Sequence, residues 1–158
     1  MINKEFIIVG AGLAGLTLAY FLLEQGIPFE RIAVIEKHSK SGQEASGLPG
    51  GLLNPFMGYS LAPKPGYLEA FEFSRQWLLK LNDSCKTPLL IPCSLLRPVL
   101  SSDHTSQRLL NSFEKNKDRL PLFPQVRLHT TQTLHHQFPD CSPFNVCFEI
   151  NPVYSVLF

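Results

Sequence analysis

Gly10-Ala11-Gly12-Leu13-Ala14-Gly15 has the spacing G-x-G-x-x-G, and a carboxylate, Glu36, stands about 20 residues beyond it. Together these residues have the chemistry to hold a dinucleotide. Gly10 permits a tight turn, Gly12 lets the backbone approach a pyrophosphate, and Gly15 lets a helix pack closely on a strand. A helix opening here aims free N–H groups and a partial positive charge at the phosphates. Glu36 accepts hydrogen bonds from ribose hydroxyls, and its charge disfavours a 2′-phosphate, which places NADP behind the unphosphorylated dinucleotides. Lys37 follows it directly. The fingerprint alone does not separate FAD from NAD, and a glycine-rich turn that binds nothing is the bland alternative.

Such residues act only if a strand, a turn and a helix position them. Phe6-Ile7-Ile8-Val9 is a continuous apolar run ended by Gly10, the pattern of a strand buried on both faces of a parallel sheet. Leu13 to Gln25 is apolar almost all round, which predicts a helix buried on more than one side, stopped by Gly26 and Pro28. Ile32 to Ile35 reads as a second buried strand ending at Glu36, so the order is βαβ. A Gly-, Ser- and Pro-rich segment follows from Lys37 to Pro63. Pro65 to Leu81 reads as a helix with Leu68, Phe71, Trp77, Leu78 and Leu81 toward a core. Leu89 to Leu100 is strand-like despite Pro92 and Pro98. Ser106 to Lys117 reads as an amphipathic helix with Leu109, Leu110 and Phe113 on one side. The remainder reads as irregular up to a last strand from Asn145 to Ile150.

Composition bounds the class. The chain has 158 residues, 44% of them hydrophobic and 17% charged, with a net charge of +1. That balance gives no electrostatic pull toward nucleic acid or an anionic membrane. The apolar run Leu13 to Leu23 is shorter than the roughly 20 residues a bilayer span needs, and Phe6 to Val9 is too short for a signal peptide. The expectation is a soluble, cytoplasmic chain in a reducing compartment, with no membrane partner. Cys85, Cys93, Cys141 and Cys147 form no C-x-x-C pair. They read as ordinary thiols, and His135-His136 near Cys141 lacks metal-ligand spacing, so no metal is expected.

The segment after Glu36 narrows the ligand. Gly42-Gln43-Glu44-Ala45-Ser46-Gly47-Leu48-Pro49-Gly50-Gly51-Leu52-Leu53-Asn54-Pro55 resembles the second signature of the D-amino-acid oxidase-like, FAD-dependent oxidoreductases. Its form is most similar to the branch of that family that processes methylaminomethyl-uridine in tRNA, with glycine and sarcosine oxidases more distant. The resemblance implies FAD as cofactor. It adds Ala45, Ser46, Gly50, Gly51 and Leu52 to the candidate set, with Ser46 on the pyrophosphate and Gly50 and Gly51 letting main-chain amides near the flavin. It implies oxidation of a C–N bond in a small amine or amino acid. A tRNA partner rests on the resemblance alone, and no residue is assigned as a catalytic acid or base.

The expected fold is α/β: a Rossmann-type FAD/NAD(P)-binding domain over residues 1–86, joined to the beginning of a mixed β-sheet substrate domain over residues 87–158. The resemblance also implies a longer parent chain, so the fold is expected to be truncated, with Leu89-Leu90-Ile91, Leu95-Leu96 and Phe144 to Phe148 left exposed. Two rival readings are an NAD-linked dehydrogenase, which would continue in alternating strands and helices, and a non-catalytic flavoprotein remnant.

Overall fold

The computed structural model describes residues 4–47, 51–56, 58, 61–62, 64–85, 88–100, 104–121, 123–138 and 146–156. Contacts divide the chain into two compact units, one up to Gly51 and the other from Leu52 onward.

The first unit is the βαβ element. β1 (Phe6–Val9) pairs in parallel with β2 (Ile32–Ile35), with Phe6 opposite Ile32 and Val9 opposite Ile35. Between them runs α1 (Leu13–Glu24). Its end is closed by paired backbone bonds: Gly26 N–H donates to the Leu23 carbonyl and Ile27 N–H to the Leu22 carbonyl. Gly26 sits at φ +81°, the left-handed conformation that this type of stop requires. α1 lies over the strand face that carries Ile8, which is buried.

The opposite face of this two-stranded sheet carries Ile7, Val9 and Ile35, which are 62%, 83% and 54% exposed. The expectation of strands buried on both faces is therefore corrected: within this unit the sheet has one helix to pack on. The same correction applies to α1. Leu13, Leu16, Leu18 and Leu23 are all exposed, because one narrow sheet covers one side of a helix that is apolar on every side.

The second unit is an antiparallel sheet built around one long strand. In chain order its elements are β3 (Leu52–Leu53), α2 (Tyr67–Asn82), β4 (Leu90–Val99), α3 (His104–Asn116), β5 (Gln125–Thr130), α4 (Thr131–Gln137) and β6 (Val146–Val156). β6 is central: β4 runs along one side, while β3 and β5 share the other. The register slips between Cys93 and Leu95, where the strand opposite passes through Asn151 and Pro152. Proline has no N–H for the ladder, so the irregularity falls there, and it resets the alternation. Ile150 and Val153, three positions apart, consequently both face the core and are fully buried.

That core joins Phe148, Ile150 and Val153 to Phe56, Leu61 and Leu109, with Phe113 from α3 against Phe148 at 5.0 Å between ring centres. A second cluster seats α2 on the sheet through Phe71, Leu78, Leu90 and Tyr154. The expected exposure of the Leu90 and Phe148 runs is thus corrected. Leu90 is 3% exposed and Phe148 0%, because α2 and α3 cover them; Ile91 is 40% exposed, and Phe144 lies outside the described residues. β5, α4 and the continuation of β6 to Val156 stand where the sequence reading expected irregular chain. The alternation Val126, Leu128 with Arg127, His129 was a strand signal too short to stand out from its aromatic, proline-rich surroundings.

Candidate dinucleotide-binding site

The site is built at the end of β1. Gly10 turns the chain at φ +100°, and its N–H donates to the Ile35 carbonyl at 2.7 Å, extending the β1–β2 ladder by one step. Gly12 caps α1 in extended backbone and has no side chain to satisfy the first helical N–H groups. One of them is satisfied from far along the chain: Leu13 N–H donates to Ser46 Oγ at 2.9 Å, across 33 residues.

Glu36 is equally anchored. Its Oε2 accepts the Ala11 N–H at 2.7 Å and its Oε1 the His38 N–H at 3.0 Å. The Ala11 bond, seconded by that of His38, holds the carboxyl below its ordinary range, so Glu36 is an anion at neutral pH. The following loop folds back on the fingerprint. Gly42, at φ +69°, donates its N–H to the Ala11 carbonyl at 3.0 Å, and Ala45–Gly47 forms one 3-10 turn that presents Ser46. Glu44 pairs with the Lys37 ammonium, and its Oε1 lies 3.3 Å from His38 Nε2. The Lys37 partner lowers the Glu44 carboxyl and Glu44 raises the Lys37 ammonium, so both are charged.

These elements enclose a cleft of about 300 Å³. A Cβ placed on Gly15 would lie 2.0 Å from the Gly10 carbonyl oxygen, and one on Gly12 would lie 3.1 Å from Ser46 Oγ. Gly15 thus lets α1 pack directly on the turn at Gly10, while Gly12 keeps clear the space before the α1 N-terminus that a pyrophosphate cradle requires. An acid that can accept from hydroxyls stands beside it, so the residues present fit the adenosine diphosphate half of a dinucleotide.

Gly10, Gly12, Leu13, Ala14, Gly15, Glu36, Ala45 and Ser46 all line this cleft. Ala11 lies buried behind it and contributes its backbone to Glu36 and Gly42. Lys37 turns to Glu44. Leu52 belongs to the second unit, in β3 opposite Ser155. Gly51 precedes it, and Gly50 lies outside the described residues. His38, Gly42, Gln43 and Glu44 also line the cleft and were not singled out. Their signal was the Lys37-His38 step followed six residues after His38 by an acid, Glu44.

Among the described residues no group of three or more His, Cys, Asp or Glu side chains stands ready for a metal. Cys85, Cys93 and Cys147 form no disulfide among the described residues, while Cys141 lies outside the described residues and so does the side chain of His135. Among the described residues no helix is long and apolar enough to cross a membrane.

The family model for FAD-dependent oxidoreductases of the D-amino-acid oxidase type matches residues 5–148. The chain belongs to this family. Its membership settles the choice between the dinucleotides at family level in favour of FAD. Among named relatives, the tRNA 5-methylaminomethyl-2-thiouridine biosynthesis bifunctional protein MnmC of Hydrogenovibrio crunogenus is 38% identical over 82 residues, 51% of this chain and 12% of that protein. The protein of the same name from Hahella chejuensis is 27% identical over 117 residues, 73% of this chain and 18% of that protein. Among solved structures, glycine oxidase from Geobacillus kaustophilus superposes with a TM-score of 0.75 at 17% identity, covering 99% of this chain and 41% of that one. Glycine oxidase from Bacillus cereus gives 0.73 at 18% identity, with 98% and 40% covered. The FAD-dependent oxidoreductase chain described here therefore spans less than half of each of these proteins.

Proposed function

We propose that this chain supplies the adenosine-diphosphate-binding part, and some of the substrate-domain sheet, of a flavin-dependent oxidase acting on the C–N bond of a small amine or amino acid. The observation that carries the reading is the convergence of Glu36 on Ala11 and of Ser46 on Leu13, the two residues that flank Gly12 at the start of α1. On this reading residues 1–86 serve the cofactor and 87–158 the substrate.

FAD, when bound, supplies the two-electron acceptor for the oxidation. The chain's own residues bind and orient it. The open N–H groups of α1 and the glycine backbone at Gly10, Gly12 and Gly15 hold the pyrophosphate, with the Ser46 hydroxyl free to donate its own proton to a phosphate oxygen. Glu36 takes the adenosine ribose hydroxyls. Lys37, Ala45, Gly50, Gly51 and Leu52 complete the proposed cofactor set by family resemblance. The amine-oxidation class is supported by the names of the structural neighbours, glycine oxidase and L-amino acid deaminase. The relatives named for tRNA modification suggest a modified uridine as the amine carrier, but a net charge of +1 offers little for a polyanion.

Titration of the purified chain with FAD, NAD and NADP, read by quenching of flavin fluorescence and by displacement of bound FAD, tests the proposal. FAD should bind at least tenfold more tightly than either nicotinamide dinucleotide; tighter binding of NAD would overturn the reading.

A further inference from the structure

We propose that Glu44 is a specificity-determining residue that keeps a 2′-phosphorylated adenosine out of this cleft. The inference rests on the dinucleotide reading above and deepens it.

A cation, Lys37, and an imidazole, His38, directly follow Glu36 at the end of β2. A cation beside the ribose-binding acid is what a site uses to accept a 2′-phosphate. Here both are engaged by one oxygen of one carboxylate: Glu44 Oε1 pairs with Lys37 Nζ and stands 3.3 Å from His38 Nε2. Glu44 and His38 line the cleft together with Glu36 and Ser46. Glu44 therefore occupies the Lys37 ammonium, and the Glu36 carboxylate in the cleft is what a ligand's ribose end meets. A phosphate on the ribose 2′ oxygen would carry about −2 charge toward Glu36 while Lys37 is held by Glu44. An unphosphorylated ribose brings only hydroxyls, which Glu36 accepts. The same Glu44 contacts tie the strand end at Glu36–His38 to the loop that presents Ser46, so a loss of loop order must be distinguished from a change of charge.

The test is competition with bound FAD by two probes, adenosine 5′-diphosphate and adenosine 2′,5′-bisphosphate, on the parent chain and on Glu44→Gln, Glu44→Asp, Lys37→Gln and Glu44→Gln/Lys37→Gln. Glu44→Gln should shift the preference between the probes toward the 2′-phosphorylated one by about threefold to tenfold at low salt. Much of that shift should vanish at high salt. Glu44→Asp should stay near the parent, and adding Lys37→Gln should cancel the gain. A purely structural role for Glu44 would weaken both probes by the same factor, and that result overturns the proposal. So does a preference that persists after Lys37→Gln, or FAD binding with which neither adenosine probe competes. Failure of the parent chain to bind FAD removes the function proposed above and this inference with it; binding of FAD with an unchanged probe preference removes this inference alone.

Discussion

Ser46 caps a helix that begins 33 residues before it, through its hydroxyl oxygen and the Leu13 N–H at 2.9 Å. A helix start led by glycine has no side-chain oxygen of its own. The loop that supplies one here is the loop that closes the cleft, so helix order and ligand site are coupled.

Replacing Ser46 by alanine should cost about 0.5–2 kcal/mol of stability in the βαβ unit, the range for loss of a cap, and should weaken FAD binding. Ser46→Thr, which keeps the oxygen, should restore most of both. Amide hydrogen exchange at Leu13 reads the cap directly; unchanged exchange in Ser46→Ala would refute the coupling.

The two glycines of the fingerprint should fail in different ways. At Gly15 a methyl group meets the Gly10 carbonyl oxygen at 2.0 Å, so Gly15→Ala must push helix from strand and should cost about 1–3 kcal/mol as overpacking. At Gly12 a Cβ meets the Ser46 side chain, Oγ at 3.1 Å and Cβ at 4.0 Å, and no backbone. Gly12→Val should abolish cofactor binding while helical circular dichroism stays at the parent level. Parent-like FAD affinity in Gly12→Val would show that the phosphate does not lie there.

Glu36→Ala should weaken FAD binding by about tenfold or more, since a charged hydrogen-bond acceptor is lost. Part of the loss belongs to the Ala11 and His38 N–H groups left without their acceptor. Calorimetric titration against Glu36→Gln, which keeps one acceptor oxygen, separates the two contributions; a loss below twofold in Glu36→Ala would exclude the ribose role.

Acid stability of the second unit should follow Glu72. Its oxygens accept from Arg75 Nε at 2.8 Å, Arg75 Nη2 at 2.6 Å and Gln76 Nε2 at 2.7 Å, and the Arg75 partner lowers its pKa to about 2. Because the folded value lies below the unfolded value near 4.5, the stabilisation is complete above pH 4.5 and is lost as pH falls toward 2. Glu72→Gln should flatten that limb of a urea-unfolding series and leave the slope unchanged above pH 5. Glu149 adds to the same limb. Burial raises its carboxyl, but bonds from His129, Asn151 and Ser94 outweigh that and hold it below its ordinary value.

The exposed sheet face should govern solubility. Val9→Lys, at a position 83% exposed on the side away from α1, should reduce aggregation and dye binding to apolar surface without loss of stability. By contrast Phe148→Ala, at a fully buried position against Phe113, should cost about 3–5 kcal/mol. Equal losses from both substitutions would mean that Val9 is covered in solution.

The βαβ order, the glycine turn, the acid at Glu36 and the two later helices were legible in the sequence, because each rests on local pattern. Glycines at fixed spacing, an apolar run of strand length and a helical apolar stripe state themselves within a few residues. The resemblance in the segment from Gly42 to Pro55 was legible in the same way. Other features are decided by contacts between residues far apart, which no local pattern encodes. Only the tertiary structure brings Ser46 to Leu13 and assembles Glu36, Ser46, His38 and Glu44 into one cleft. Only it sends Leu52 to Ser155, because strand pairing is chosen by the partner's register as much as by the strand itself. Burial was misjudged for the same reason. An apolar residue such as Val9 states what it prefers, but whether it is covered depends on what else packs there, and Leu90 and Phe148 are buried because α2 and α3 lie over them.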